Sequence, residues 1–171
     1  MAVRLSRLNT KASSGFALDL ITVFEGAPWI ALKAWQRRPF ASVERLYLAM
    51  VEALDAGERD KQVALLKAQP DVVAKARRYD ERADVWERER AKEMFGDMTD
   101  EEFAGFKQLL DDYAERFGYP FIVDLRGKSK DDLIAAVSER VENNPDAELT
   151  TSLGQMSQIA RHRLERQIKI N

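Results

Sequence analysis

Gln69, Glu89, His162 and Arg163 are the polar positions whose residue type and setting could do chemistry. Gln69 follows a short apolar helical stretch and is followed at once by Pro70. Proline donates no N–H and drives the preceding residue out of the α region, so Gln69 is expected at a rigid helix terminus with its side chain held in one direction. Such a glutamine could serve a site, or simply mark where a helix stops. Glu89 lies three residues after Trp86 and four after Val85, on their helical face. A carboxylate against a buried aromatic would have a raised pKa and could exchange protons. The alternative for Glu87-Arg88-Glu89-Arg90 is a solvated face of weak ion pairs. Arg163 extends the apolar series Leu149, Leu153, Met156, Ala160, so it points inward towards a carboxylate, carbonyls or an anion, or else snorkels beside a stripe centred on Leu164. His162, the single histidine, sits between two arginines and is expected to be solvated.

The bulk composition narrows the chemistry available to these residues. With no cysteine there is no disulfide, thiolate nucleophile or cysteine-based metal site, and one histidine leaves only carboxylates as metal ligands. No calcium-type loop is present, so no metal site is expected. The net charge of −2 gives no electrostatic case for nucleic acid or an anionic membrane. No apolar run is long enough to span a bilayer and no signal peptide is visible, which makes the cytoplasm the expected location. No phosphate-binding glycine loop or nucleophile elbow occurs.

The elements that must carry these positions read as helices almost throughout. Phe16, Leu20, Val23 and Phe24 recur at helical spacing from Ser13 to about Glu25, after a polar segment 1–12 expected to be loosely ordered. Pro28 opens a second helix, carrying Trp29, Ile30, Leu32 and Trp35, and Arg38-Pro39 closes it. Ser42 caps a third, which Gly57 stops, and a fourth runs from about Arg59 to Ala68. The charged stretch from Asp71 to Met94 lacks Gly and Pro and is expected to be one long helix. Thr99-Asp100-Glu101-Glu102 is a capping box for a sixth helix, ended by Gly118. Tyr119 to Val123 is strand-like but isolated, and Pro120 favours an extended segment. Two further helices follow, the second beginning near Asp146. The expectation is an all-α fold of about eight helices in a single domain over residues 13–171.

Several of these segments also resemble one family. Phe24-Glu25-Gly26-Ala27-Pro28-Trp29-Ile30-Ala31 is similar to its F-E-x-S-P-W-V-A signature, followed by Arg38-Pro39-Phe40. Phe117-Gly118-Tyr119-Pro120-Phe121-Ile122 keeps its F-G-[FY]-P-F-I run. Arg140-Val141-Glu142-Asn143, Glu148 and Ile159-Ala160-Arg161-His162-Arg163-Leu164 match its R-[LV]-x-N…E…I-A-x-x-R-L pattern. The chain thus resembles the 2-oxo-4-hydroxy-4-carboxy-5-ureidoimidazoline (OHCU) decarboxylases, which complete the conversion of urate to (S)-allantoin.

The resemblance implies a helical bundle, a small anionic heterocyclic substrate, no metal or organic cofactor, and a homodimer. It puts the family's catalytic histidine at Gln69, in Gln69-Pro70-Asp71-Val72. Its S-x-x-E-Q falls on Trp86-Glu87-Arg88-Glu89-Arg90, so Glu89 takes the glutamate's place, Trp86 the serine's and Arg90 the glutamine's. Arg163 corresponds to the substrate-binding arginine, and the Phe121-Ile122 backbone, with Pro70, to further substrate contacts. Gln69 hydrogen-bonds but does not exchange a proton near neutral pH. Three readings follow: a decarboxylase with Glu89 and Arg163 carrying most of the chemistry and Gln69 at the histidine position, a relative with another small anionic ligand, or a non-catalytic helical interaction protein.

Overall fold

A computed structural model describes residues 3–77 and 85–169. Among the described residues the chain is helical, with one two-stranded parallel pair, Val3–Arg4 against Ile168–Lys169. The helices are α1 (Leu5–Thr10), α2 (Ser13–Asp19), α3 (Pro28–Trp35), α4 (Val43–Asp55), α5 (Arg59–Lys67), α6 (Val72–Arg77), α7 (Val85–Gly96), α8 (Asp100–Phe117), α9 (Lys130–Arg140) and α10 (Pro145–Gln167). The all-α expectation holds. Two differences lie behind the larger helix number. Residues 5–10 are not loosely ordered: they form α1, because Leu5 and Leu8 are both buried and give a nominally polar segment an apolar anchor. The expected helix over 71–94 is described as α6 and α7, and residues 78–84 between them lie outside the described residues.

The chain gathers into two compact units. The first comprises the residues up to Ala68 together with those from Met156 onward. Its buried side chains include Leu8, Phe16, Val23, Ile30, Leu46, Met50, Leu54, Leu66, Met156 and Leu164. Each such burial contributes about 1.5–3 kcal/mol before entropy is counted. Ser42 caps α4 as expected, its hydroxyl accepting from the Arg45 N–H at 3.2 Å. Gly57 follows α4 for a packing reason. A Cβ there would stand 2.5 Å from the Trp29 ring. The end of α10 is tied to the turn after α2: Gln167 donates to the Asp19 carbonyl and accepts from the Thr22 hydroxyl at 3.2 Å.

The second unit runs from Gln69 to Gln155. Its α8 opens on the Thr99/Glu102 capping box and ends at Gly118 with φ 77°, a left-handed cap that glycine adopts without penalty. Phe106, Leu110 and Tyr113 are buried at i, i+4, i+7 spacing along α8, and Leu133, Val137 and Arg140 repeat that spacing on α9. The extended run expected over Tyr119 to Val123 joins no sheet, and it continues to Leu125, with Phe121 to Leu125 all buried.

Candidate functional site

Gln69 stands in the short junction between α5 and α6. The α5 ladder closes with the Ala68 N–H on the Ala64 carbonyl at 3.1 Å. Asp71 then caps α6, its Oδ1 accepting from the Ala74 N–H at 2.6 Å. With α5 closed by Ala68 and α6 opened by Asp71, Gln69 and Pro70 fall between, where Pro70 does not interrupt a helical ladder. Gln69 is buried, at 5% exposure, and Pro70 half-buried. A buried amide offers two donors and an acceptor in fixed directions and no proton exchange.

On α7 the structure alters the expectation. Glu87, Ala91 and Met94 form the buried face, again at i, i+4, i+7. Glu89 lies on the opposite side and is exposed. Hydrogen bonds from Arg88 Nε at 3.0 Å and from Lys92 Nζ at 3.4 Å hold its carboxyl below the usual range rather than above it. The raised pKa expected from Trp86 is therefore corrected. Trp86 is only half-buried, and the cations beside Glu89 decide its titration. The carboxylate that α7 buries is Glu87, at 6% exposure. The 87/91/94 spacing is the sequence signal for this, masked by the charge around it. Arg90 is half-buried, donating to the Lys128 carbonyl and to Glu93 Oε2 at 2.7 Å, so it clasps the loop before α9.

Phe121 and Ile122 are held from behind by a buried polar cluster. Arg140 Nη1 donates to the Ile122 carbonyl at 2.7 Å, and its guanidinium lies 4.4 Å from the Phe121 ring centre. The same guanidinium meets Glu148 Oε1 through Nε at 2.9 Å and Nη2 at 2.6 Å. Tyr113 also donates to Glu148 Oε1, and Asn143 donates to Oε2 at 2.9 Å. Glu148 is fully buried, so its bonds to Arg140 and Tyr113 operate without competing water, while the Asn143 bond is half-buried. Burial, and then the bond to Glu148, push the Tyr113 hydroxyl far above its ordinary pKa, so it stays a donor. Apart from Ile122, reached only through the resemblance, chemistry-directed reading of the sequence missed this cluster. Arg140, Asn143 and Glu148 all belong to the matched family pattern.

Arg163 belongs to the first unit. It is buried at 8% exposure, with Nη1 3.5 Å from the Thr22 and Val23 carbonyls, at the outer limit of hydrogen bonding. Leu164 beside it is fully buried, so the inward face of α10 is wide enough to take both. His162 is half-buried rather than solvated. Among the described residues no cluster of acidic or histidine side chains is assembled that could hold a metal ion.

Comparison with known proteins decides what this arrangement belongs to. Residues 9–165 match the model of the OHCU decarboxylase family. The chain belongs to that family. The OHCU decarboxylase of Haloferax volcanii is 32% identical over 160 residues, which cover 94% of this chain and 93% of that protein. The uric acid degradation bifunctional protein of a Bacillus species is 29% identical over 95% of this chain, which spans 32% of its length. A crystal structure of (S)-allantoin synthase superposes with a TM-score of 0.77 and 25% identity, covering 98% of this chain and 54% of that one. Among the described residues no helix is long and apolar enough to cross a membrane.

Proposed function

We propose that the protein decarboxylates 2-oxo-4-hydroxy-4-carboxy-5-ureidoimidazoline to (S)-allantoin in urate breakdown. The observation that carries this is the family match over residues 9–165. In the reaction the carbon–carbon bond to the carboxylate breaks, CO₂ leaves, and the bond's electron pair moves into the ring's conjugated C=N. A proton is then added to one face of the ring.

In this reading Arg163 offsets the substrate's negative charge, and the Phe121-Ile122 backbone, with Pro70, contacts the ring. Gln69, at the family's histidine position, donates an amide N–H to the carboxylate and hydroxyl side without relaying a proton. Glu87, the carboxylate that α7 buries, takes the role expected of Glu89 and hydrogen-bonds the ring. Arg90 holds the loop before α9, and Trp86 borders the site. A homodimer in the cytoplasm completes the reading, with sedimentation velocity as the check on assembly.

The direct test follows circular dichroism after the purified protein is mixed with freshly generated substrate. Faster (S)-allantoin formation than the spontaneous reaction is expected, and equality with it removes the proposal. Gln69→His supplies a proton-exchanging group and should raise the rate by about 10²-fold, the low end of general acid–base help. A second reading rests on the buried Gln69 itself. Without a titrating group there, the protein would hold another small carboxylate or heterocyclic anion. A thermal-shift screen of such anions, with a stabilising hit and no decarboxylation, would favour it.

A further inference from the structure

The extended run Phe121–Leu125 poses a physical problem that helices do not. Five consecutive residues are buried, yet their main chain is not in a sheet. Each buried N–H and C=O then needs an individual partner. The partners that the structure supplies are side chains and one turn. Arg140 takes the Ile122 carbonyl at 2.7 Å, the Gln155 side-chain oxygen takes the Asp124 N–H at 2.9 Å, and the Leu125 carbonyl accepts from the Lys128 N–H at 3.4 Å. Arg140 is the strongest of these, because a charged donor makes a shorter and stronger bond than a neutral one. It is itself fixed in three ways: by a two-nitrogen bond to fully buried Glu148, by the Phe121 ring at 4.4 Å and by the Ser152 hydroxyl at 3.1 Å. Glu148 is in turn saturated by Tyr113, Asn143 and Ser152.

We propose that Arg140 is a positioning residue: locked by Glu148, it sets the direction of the Phe121-Ile122 main chain and through it the fit of the anionic ring substrate. This rests on the reading above in which that main chain contacts the ligand. The guanidinium fork is essential because its nitrogens reach the Ile122 carbonyl and the Glu148 carboxylate together. A lysine ammonium is a single point and serves one of them.

The full chain and its Arg140→Lys variant are compared by amide hydrogen exchange and by steady-state kinetics on freshly generated substrate. The variant keeps its helical circular dichroism. Exchange at Ile122, Val123 and Asp124 rises about tenfold, the equivalent of one charge-assisted hydrogen bond, while the α8 and α9 amides keep their protection. KM rises by about the same factor with kcat nearly unchanged, the signature of lost binding rather than lost chemistry. Ethylguanidinium added to Arg140→Ala brings KM part of the way back, which a merely space-filling role would not. Where Arg140→Lys fails to fold, the paired neutral variant Arg140→Gln/Glu148→Gln replaces it in both assays. A folded variant with wild-type exchange at 122–124 overturns the proposal, as does raised exchange with an unchanged KM. A wild-type chain without activity removes the proposed function instead, and the exchange arm still decides whether Arg140 holds the segment.

Discussion

Two charge-rich regions of the second unit behave in opposite ways. On α7, Glu89 pairs with Arg88 and Lys92 in the open, where water screens the pairing. Behind the extended run, Arg140 and Glu148 pair with their charges almost wholly buried. The first arrangement is replaceable, because each partner can turn to solvent. The second is not, because a lone buried charge has nowhere to go. Charge count is therefore a poor guide to importance in this chain, and the spacing of buried positions is a better one. Glu148→Ala should break the contrast most visibly. It strands the Arg140 guanidinium, and urea unfolding should show a loss of about 3–5 kcal/mol. A loss below about 1 kcal/mol, the level of exposed pairs, would mean the two regions do not differ.

The next effect is on rate rather than stability. Glu87→Gln keeps the size of the side chain and removes the carboxylate that α7 buries. Under the proposed function decarboxylation falls by about 10²-fold, the low end of acid–base and hydrogen-bonding help at a reacting centre. A variant with the wild-type rate would take Glu87 out of the mechanism. Tyr113→Phe comes third. It deletes the hydroxyl that donates to Glu148 and leaves one acceptor site of a buried carboxylate unfilled, for a loss of about 1–3 kcal/mol. It also carries a pH signature. The folded Tyr113 hydroxyl has a raised pKa against 10.0 unfolded. Its contribution is complete below pH 10 and declines above it, as the unfolded state alone loses the proton. Wild-type stability should therefore fall above pH 10, and the fall should be shallower in Tyr113→Phe. Parallel alkaline limbs would show that Tyr113 does not cause the slope.

Most of the architecture was legible in the sequence because local signals agreed with each other. Ser42, the Thr99/Glu102 box and Gly118 act in the structure as their residue types suggest. The Phe106, Leu110, Tyr113 stripe is buried as its spacing requires. The segment over 5–10 was missed because two leucines among polar neighbours give too weak a period to mark a helix. The candidate site was less legible for a related reason. In Glu87-Arg88-Glu89-Arg90 composition does not separate inside from outside; the later Ala91 and Met94 do, and they point to Glu87. Arg140 and Glu148 look like ordinary surface charges in sequence. Only the fold brings them together behind the Ile122 carbonyl.

Glu89→Gln has the smallest expected effect and is the sharpest check on how α7 is turned. Glu87 and Glu89 are two residues apart, so at about 100° per residue their side chains leave the helix on nearly opposite sides. One helix rotation cannot make both the buried carboxylate. The depressed pKa of Glu89 comes first from the Arg88 hydrogen bond and then from Lys92. A depressed carboxyl adds stability above its unfolded pKa and loses it as pH falls through the folded value. Between pH 6 and 8 that contribution does not change, and at an exposed site salt screens it. Glu89→Gln should leave the unfolding midpoint at neutral pH unchanged within error and the decarboxylation rate at its wild-type level. A rate loss like that expected of Glu87→Gln, with Glu87→Gln itself silent, would place the reacting carboxylate on the solvated side of α7. Equal losses in both variants would mean that neither helical face alone sets the chemistry, since both carboxylates would then have to act on one substrate from opposite sides of the helix.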